Sequence, residues 1–485
     1  MLIVRKILFY IFASLYLVLC PLIILYAFGY IFTPQMEEGL VKTGLIHLET
    51  FPAGASISIA NKRYAGQTPS TIRSLLAGKY DIKISLKGYR PWIRQAAVES
   101  GKAVAFDKIL LIPEKLKTRV LIPETFEDLL PIPKTHFLLL MKSKKIRDFR
   151  VFNWKSETAV FLFSAGSPYR DAELVRSFVN QKNPFVLLEV KLREKIKFLW
   201  CRLDKEKPLI KDVSLLFPRG EPSEIQWESG EPEYLFAFRS GNLDRLDLEK
   251  MVVYPKLLEK IQGFGLHKGK VYALRSSSMI CLSFNAKKDQ ERVVEKGVFL
   301  ENLFHDKARF KFDFLSHDTL CFFGEKGELF ANELPYRFVE QGLKGYQPDD
   351  DGKKIVLWKE KELGVLDFEK TARKKEIFER GPEIEWLLDH GNTIEQAYFV
   401  YDASHVLYRD QGEVMMAAVG EGKLTAQKLV KLSAKSSVFY SDETGRLYYL
   451  EPSAGYFSAV DILPEGMNFS SMLTGLENGN QEAMK

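Results

Sequence analysis

From Thr135 onward the chain repeats one theme: a turn residue or two, then a short and intensely apolar run. The runs are THFLLLM (135–141), NPFVLLEV (183–190), PEYLFAF (232–238), GKVYALR (269–275), HDTLCFF (317–323), GKKIVLW (352–358), SHVLYR (404–409) and GRLYYLE (445–451). Their starts lie roughly 35–50 residues apart, and short strands recurring at such a period predict a β-propeller. A second strand often follows closely, as in GELFANEL (327–334), ELGVLDFEK (362–370) and GEVMMAAV (412–419). The uneven spacing allows seven or eight blades over 135–463, and two successive β-sandwiches are the competing fold. Residues 114–134 are read as a linker or a first propeller strand. Leu174–Gln181 and Pro255–Gln262 are expected as short helical insertions, and the polar tail 464–485 as disordered.

The N-terminus obeys a different rule. No charged side chain occurs from Ile7 to Met36. A helix over 7–32 would be about 39 Å long at 1.5 Å per residue, enough to span a bilayer. Arg5 and Lys6 precede it, and Glu37, Glu38 and only then Lys42 follow. The positive-inside rule therefore predicts a cytoplasmic 1–6 and an extracytoplasmic remainder. Ala27-Phe28-Gly29 is a small-x-small cleavage site, but the apolar stretch exceeds a signal peptide's. Leu19 stands where a lipoprotein needs a small residue before Cys20. An uncleaved single-pass anchor is the reading these residues favour.

Between Gly44 and Pro113 apolar residues alternate with polar ones. Ala55, Ile57 and Ile59 share one face of ASISIA, and Tyr80, Ile82, Ile84 and Leu86 share one face of KYDIKISLK. Alternation of this kind predicts strands with one buried and one wet face. Further strands are expected at Leu45–Glu49, Trp92–Val98 and Val104–Leu111, making a small β-sandwich. Gly66 and Gly88 are expected to supply positive φ, and Pro69 to fix φ on re-entry to a strand.

Pro52, Gly54 and Ala55 make one turn motif, Gly66, Thr68 and Pro69 a second, and Gly78 opens a strand that ends in Gly88 with Tyr89. In this ordered set the stretch resembles the PEGA domain family. Ala53 stands where the family usually has Glu. Asn61-Lys62 stands where Asp-Gly is common, which suits a tight hairpin less well. The resemblance covers 44–113 and implies a small extracytoplasmic module with no catalytic residue of its own. The unit 346–389 is similar in architecture to WD-repeat-like and periplasmic propeller blades. Its expected strands are Ile355–Trp358, Gly364–Phe368, Lys375–Phe378 and Ile384–Leu388.

Chemistry is sparse. There is no P-loop, no G-x-G-x-x-G opening a helix, no G-x-S-x-G elbow and no H-E-x-x-H. Cys20, Cys201, Cys281 and Cys321 contain no C-x-x-C pair and read as mostly buried thiols. The run Asp349–Gly352 resembles half a calcium loop, but it lacks spaced acids and a distal Glu, so a turn is expected. His305-Asp306, His317-Asp318 and Asp389-His390 pair imidazole with carboxylate and read as turns unless they converge. Lys142–Arg150 is the strongest basic run and reads as a solvated hairpin, the sharper option being an anionic polymer or lipid contact. Tyr89 and Trp92 would be a sugar platform only if exposed. Trp154, Trp200, Trp227, Trp358 and Trp386 read as inter-blade core.

No catalytic, cofactor-binding or metal-binding residue is assigned, and no cofactor is implied. Interspersed charge, +6 over 485 residues, argues against a nucleic-acid partner. The expected class is all-β with one transmembrane helix, a small β-sandwich and a seven- or eight-bladed β-propeller. The expected role is non-catalytic binding or scaffolding of an envelope protein or polysaccharide. The alternatives are a propeller hydrolase or lyase with His267, His305, His317, Asp389 and His390 converging on the axis, and an accessory factor or sensor of an envelope machine.

Overall fold

The computed structural model describes residues 2–32, 40–205, 207–218, 221–228, 231–275, 278–283, 291–296, 310–315, 320–331, 337–349, 351–368, 384–388, 393–420, 426–432, 436–441 and 443–462. The tail 464–485 and the expected strand Lys375–Phe378 lie outside them.

The chain begins with a helix over Leu2–Ala27, with Pro21 inside it. Its segment Ile7–Ala27 has a mean hydropathy of 2.6 and none of it is buried by the rest of the chain. It is long and apolar enough to cross a membrane. The expected helical stretch 7–32 is thereby shifted toward the N-terminus. Gly29 adopts φ +81°, the left-handed conformation that ends helices. Tyr30–Phe32 then pairs antiparallel with Leu40–Lys42.

A two-sheet sandwich follows. One sheet orders Ser70–Leu75, Gly44–Phe51 and Ala103–Leu110, and the other Lys62–Gln67, Ser56–Ile59, Gly78–Ser85 and Trp92–Val98. The alternation is realised as burial: Ile46, Leu48, Ala55, Ile57, Ile82 and Ile84 are fully enclosed between the sheets. Two local expectations change. Ile59 pairs with Lys62, so the hairpin is a two-residue turn at Ala60-Asn61, both at positive φ. This is the primed geometry that tight hairpins prefer. Gly88 does take φ +84°, but Gly66 does not take positive φ; a Cβ there would lie 2.9 Å from the Tyr64 ring. The Tyr64 ring rests against Gly66.

The larger unit is a propeller. Among the described residues, eight four-stranded sheets succeed one another. Blades 1 to 7 occupy residues 128–161, 173–212, 224–258, 263–296, 310–340, 345–388 and 394–431. Blade 8 takes three strands from 439–461 and its fourth from Lys117–Thr125. Phe126 N–H donates to the Gly455 carbonyl at 2.9 Å. The end of Lys117–Thr125 therefore meets the start of Tyr456–Asp461, as an antiparallel pair requires. The ring is closed by joining the two ends of its own sequence.

All eight apolar runs become second strands of their blades: Phe137–Met141, Phe185–Leu192, Tyr234–Arg239, Lys270–Arg275, Leu320–Gly324, Lys354–Trp358, His405–Asp410 and Arg446–Leu450. The reason is that such a strand is covered on both faces. Successive side chains point to opposite faces, so each blade packs against both neighbours. Leu139 and Met141 join Val186 and Leu188 of blade 2, while Leu138 and Leu140 join Tyr448 and Phe457 of blade 8. Leu187 turns instead to Leu235 of blade 3. A one-sided alternation would leave half of these leucines in water.

Three expectations are corrected. Leu174–Gln181 is not helical: Glu173–Val179 is a strand with a bulge between Leu174 and Arg176. Pro255–Gln262 is not helical either, since Val252–Leu258 is a strand. In 346–389 the first strand is Gly345–Pro348, ahead of the Asp turn, and Ile384–Leu388 is the fourth.

Candidate functional site

First strands of neighbouring blades approach one another, which places them around the propeller axis. Gly263 and Gly265 make this approach possible. A Cβ on Gly263 would sit 2.7 Å from the Phe310 carbonyl, and one on Gly265 would sit 2.7 Å from Phe312 Cβ. Nothing larger fits where these strands pass.

Polar side chains on the first strands tie the ring together. Gln226 Nε2 donates to Glu224 Oε1 at 2.6 Å and to the Phe264 carbonyl of the next blade at 3.3 Å. The Tyr346 hydroxyl donates to the Asp313 carboxylate across the blade 5–6 boundary. Lys311 Nζ lies 3.0 Å from Asp313. Arg176 binds the fully buried Glu189 at 2.6 Å and also donates to the Pro222 carbonyl. Ser437 N–H donates to Asp128 at 2.9 Å, from blade 8 to blade 1.

These contacts set the ionisation of the ring. Burial pushes the Glu224 carboxyl above its ordinary range; the Gln226 bond and the Lys311 charge act against that, and Asp313 adds to it. Burial and the neighbouring Asp313 carboxylate push the Tyr346 phenol well up. Burial likewise outweighs Arg176 and raises Glu189. Each of these carboxylates has a donor, so the arrangement is a fastened belt. Among the described residues no group of three His, Cys, Asp or Glu could hold a metal ion.

Of the histidines proposed to converge, only His267 lies among the described residues. It ends Gly263–His267 and stacks on Phe314 at 4.7 Å and 16°. His305, Asp306, His317, Asp318, Asp389 and His390 lie outside them. Sequence reasoning passed over His405, which is buried beside Ser404 and Tyr401. Its only signal was its place at the start of an apolar strand.

The other singled-out residues take structural places. Trp92 is buried and meets Phe106 edge-on at 5.5 Å. Tyr89 packs against the same core, so the two form no open platform. Asp349 accepts the Lys354 N–H at 3.1 Å and its carbonyl takes the Gly352 N–H, closing a turn between two strands of blade 6. In Lys142–Arg150, Arg150 and Lys142 bind Glu124, Arg147 binds Asp148 and Asp171, and Ile146 is buried. Trp154, Trp200 and Trp358 are buried, whereas Trp386 is 37% exposed under Lys359 and is not core. Cys201 and Cys321 are buried and Cys20 is half-buried; burial pushes the Cys201 thiol up.

In the sandwich, the Pro- and Gly-rich stretches converge on one buried side chain. Thr68 Oγ1 accepts the Ala55 N–H at 3.0 Å and lies 2.5 Å from Thr50 Oγ1. The Gly54 N–H reaches the Thr68 carbonyl at 2.7 Å, and the Thr68 N–H the Ala55 carbonyl at 3.0 Å. The P-x-G-A turn and the G-x-T-P turn are thus one hydrogen-bonded unit.

Residues 43–111 match the PEGA domain.

No curated protein matches the chain. Solved structures are similar to it at low identity. The Cps50 (Swd1) β-propeller domain of Myceliophteria thermophila is 11% identical, over 60% of this chain and 96% of that one, with a TM-score of 0.36. Hsv2 of Kluyveromyces lactis is 9% identical over 63% and 98%, at 0.40. PorZ of Porphyromonas gingivalis, described as a bacterial surface component of the type IX secretion system, is 9% identical over 68% and 42%, at 0.38. The propeller reading here rests on the sheet order. The PEGA domain carries no cluster of reactive side chains; its signature residues are the turns that close it.

Proposed function

We propose that the protein is a membrane-anchored envelope protein whose propeller presents a binding or scaffolding surface to a protein or glycan partner outside the cytoplasm. The observation that carries this reading is the helical segment Ile7–Ala27, uncharged throughout and not buried by the rest of the chain, leading into a PEGA domain. A soluble protein would leave that surface in water at a cost of ~25 cal/mol per Å². Arg5 before the apolar segment and the acids after it support an extracytoplasmic propeller. The fastened axial belt supports a rigid platform, because its carboxylates are engaged by Gln226, Lys311, Tyr346 and Arg176.

Protease added to intact cells with a permeabilised outer layer tests the reading. The propeller should be digested or shaved while a cytoplasmic marker survives. A propeller protected until the membrane is lysed would sink it. Affinity capture with the full chain, compared with a chain lacking residues 2–27, then asks whether a partner needs the anchor, as an accessory factor of a membrane machine would.

A further inference from the structure

We propose that the hairpin Tyr30–Phe32 with Leu40–Lys42 is a lipid-contacting element that lies in the headgroup layer of the bilayer crossed by the helix. The inference rests on the membrane anchoring proposed above and extends it to a defined surface.

Phe32 pairs with Leu40, and Tyr30 pairs with Lys42. Paired residues share a face of a hairpin, and so do residues two apart. Tyr30, Phe32, Leu40 and Lys42 therefore form one face. Phe32 is 72% exposed, Leu40 39% and the preceding Phe28 69%. An isolated apolar side chain at a surface needs no explanation, but these are continuous with a span that is itself uncovered. The composition suits the interface between hydrocarbon and water: aromatic rings, one leucine and a lysine whose stem can lie along apolar surface with its charge in water.

The hairpin is also fixed in place. Thr43 donates to the Gly29 carbonyl through both its N–H (2.8 Å) and its hydroxyl (2.7 Å). Ser100 Oγ donates to the Lys42 carbonyl at 2.7 Å, and the Gly101 N–H to the Thr43 carbonyl at 3.1 Å. The helix end, the hairpin and the PEGA domain are thus bonded in series. A hairpin held this close to the helix end has the bilayer interface as its nearest apolar surface.

The test uses the full chain in phosphatidylcholine vesicles whose acyl chains are brominated at shallow or deep positions. A single tryptophan is added at Phe32→Trp, Leu40→Trp or Tyr16→Trp, and the emission of the parent protein is subtracted. The expected result is loss of most of the added Phe32→Trp and Leu40→Trp emission with shallow bromines, and of the Tyr16→Trp emission with deep ones. Quenching of Tyr16→Trp alone overturns the hairpin proposal and leaves the anchor standing. Quenching at none of the three sites overturns both.

Discussion

The Ala55 N–H donates to the Thr68 hydroxyl across 3.0 Å, thirteen residues apart in sequence. Both residues are buried, so water cannot replace the acceptor. Thr68→Val keeps the shape and removes the oxygen. It should cost about 1–3 kcal/mol, the usual penalty for a stranded buried donor. Hydrogen exchange at the Ala55 amide checks this, and unchanged protection would show that Thr68 is not the latch.

Close approach at the axis gives a second expectation. Gly263→Ala places a methyl group against the Phe310 carbonyl, where backbone must move. Overpacking of this kind typically costs ~1–3 kcal/mol. Gly166→Ala is the matched control, because its Cβ would meet nothing within 4 Å. Urea unfolding of the two variants should separate them clearly, and equal midpoints would contradict the crowding.

The Arg176–Glu189 pair should behave asymmetrically. Glu189 is fully buried and Arg176 is partly exposed. Arg176→Met alone leaves a carboxylate stranded and should cost roughly 3–5 kcal/mol, whereas adding Glu189→Met should recover most of it. A double-mutant cycle on unfolding free energy reads this directly. Additive losses would mean that the pair does not act as one.

Glu224 makes a prediction about pH. Burial raises its carboxyl in the folded protein, so the native state holds the proton more tightly than the unfolded chain does. Its contribution to stability is most favourable below the unfolded value of ~4.3, and it declines as pH rises toward the raised folded value. Glu224→Gln keeps an acceptor for Gln226 and removes the titration. The stability difference between variant and parent should therefore shift toward the variant as pH rises from about 4 to 7. A flat difference would count against the assignment.

The seam between blades 8 and 1 contains both ion pairs and rings, and their weights differ. Glu157 binds Arg119 at 2.5 Å and Arg446 at 2.8 Å, but all three side chains are about a third or more exposed. Glu157→Ala should cost no more than ~1 kcal/mol, and less in high salt. Phe457 is fully buried against Phe152 at 4.8 Å, and Phe457→Ala should cost about 3–5 kcal/mol. Thermal unfolding at two salt concentrations distinguishes the two effects.

The legible part of the fold was what two-sided burial writes into sequence. Leu138 to Leu140 must satisfy neighbours on both sides, so they form an unbroken apolar run. First strands were harder to see, because residues such as Glu224, Gln226 and Asp313 answer to the axis and carry polar side chains. At Glu173–Val179 the bulge breaks the alternation, so Leu174 packs toward blade 1 and Phe178, four residues on, toward blade 3. In Val252–Leu258, Lys256 at φ +53° also breaks the alternation. The axial belt was invisible for a related reason: its contacts join residues of different blades, such as Asp313 and Tyr346, and no local pattern records that pairing.

Closure by Lys117–Thr125 has a consequence for how the protein is made. Its partner Tyr456–Asp461 lies roughly 330 residues later. At ~5–20 residues per second of synthesis, the early strand waits between about 15 seconds and a minute with an unpaired edge. Exposed edges invite pairing with other chains. The vulnerable period of this molecule is therefore set by the ribosome, and the last blade is the one a holding chaperone would have most reason to guard.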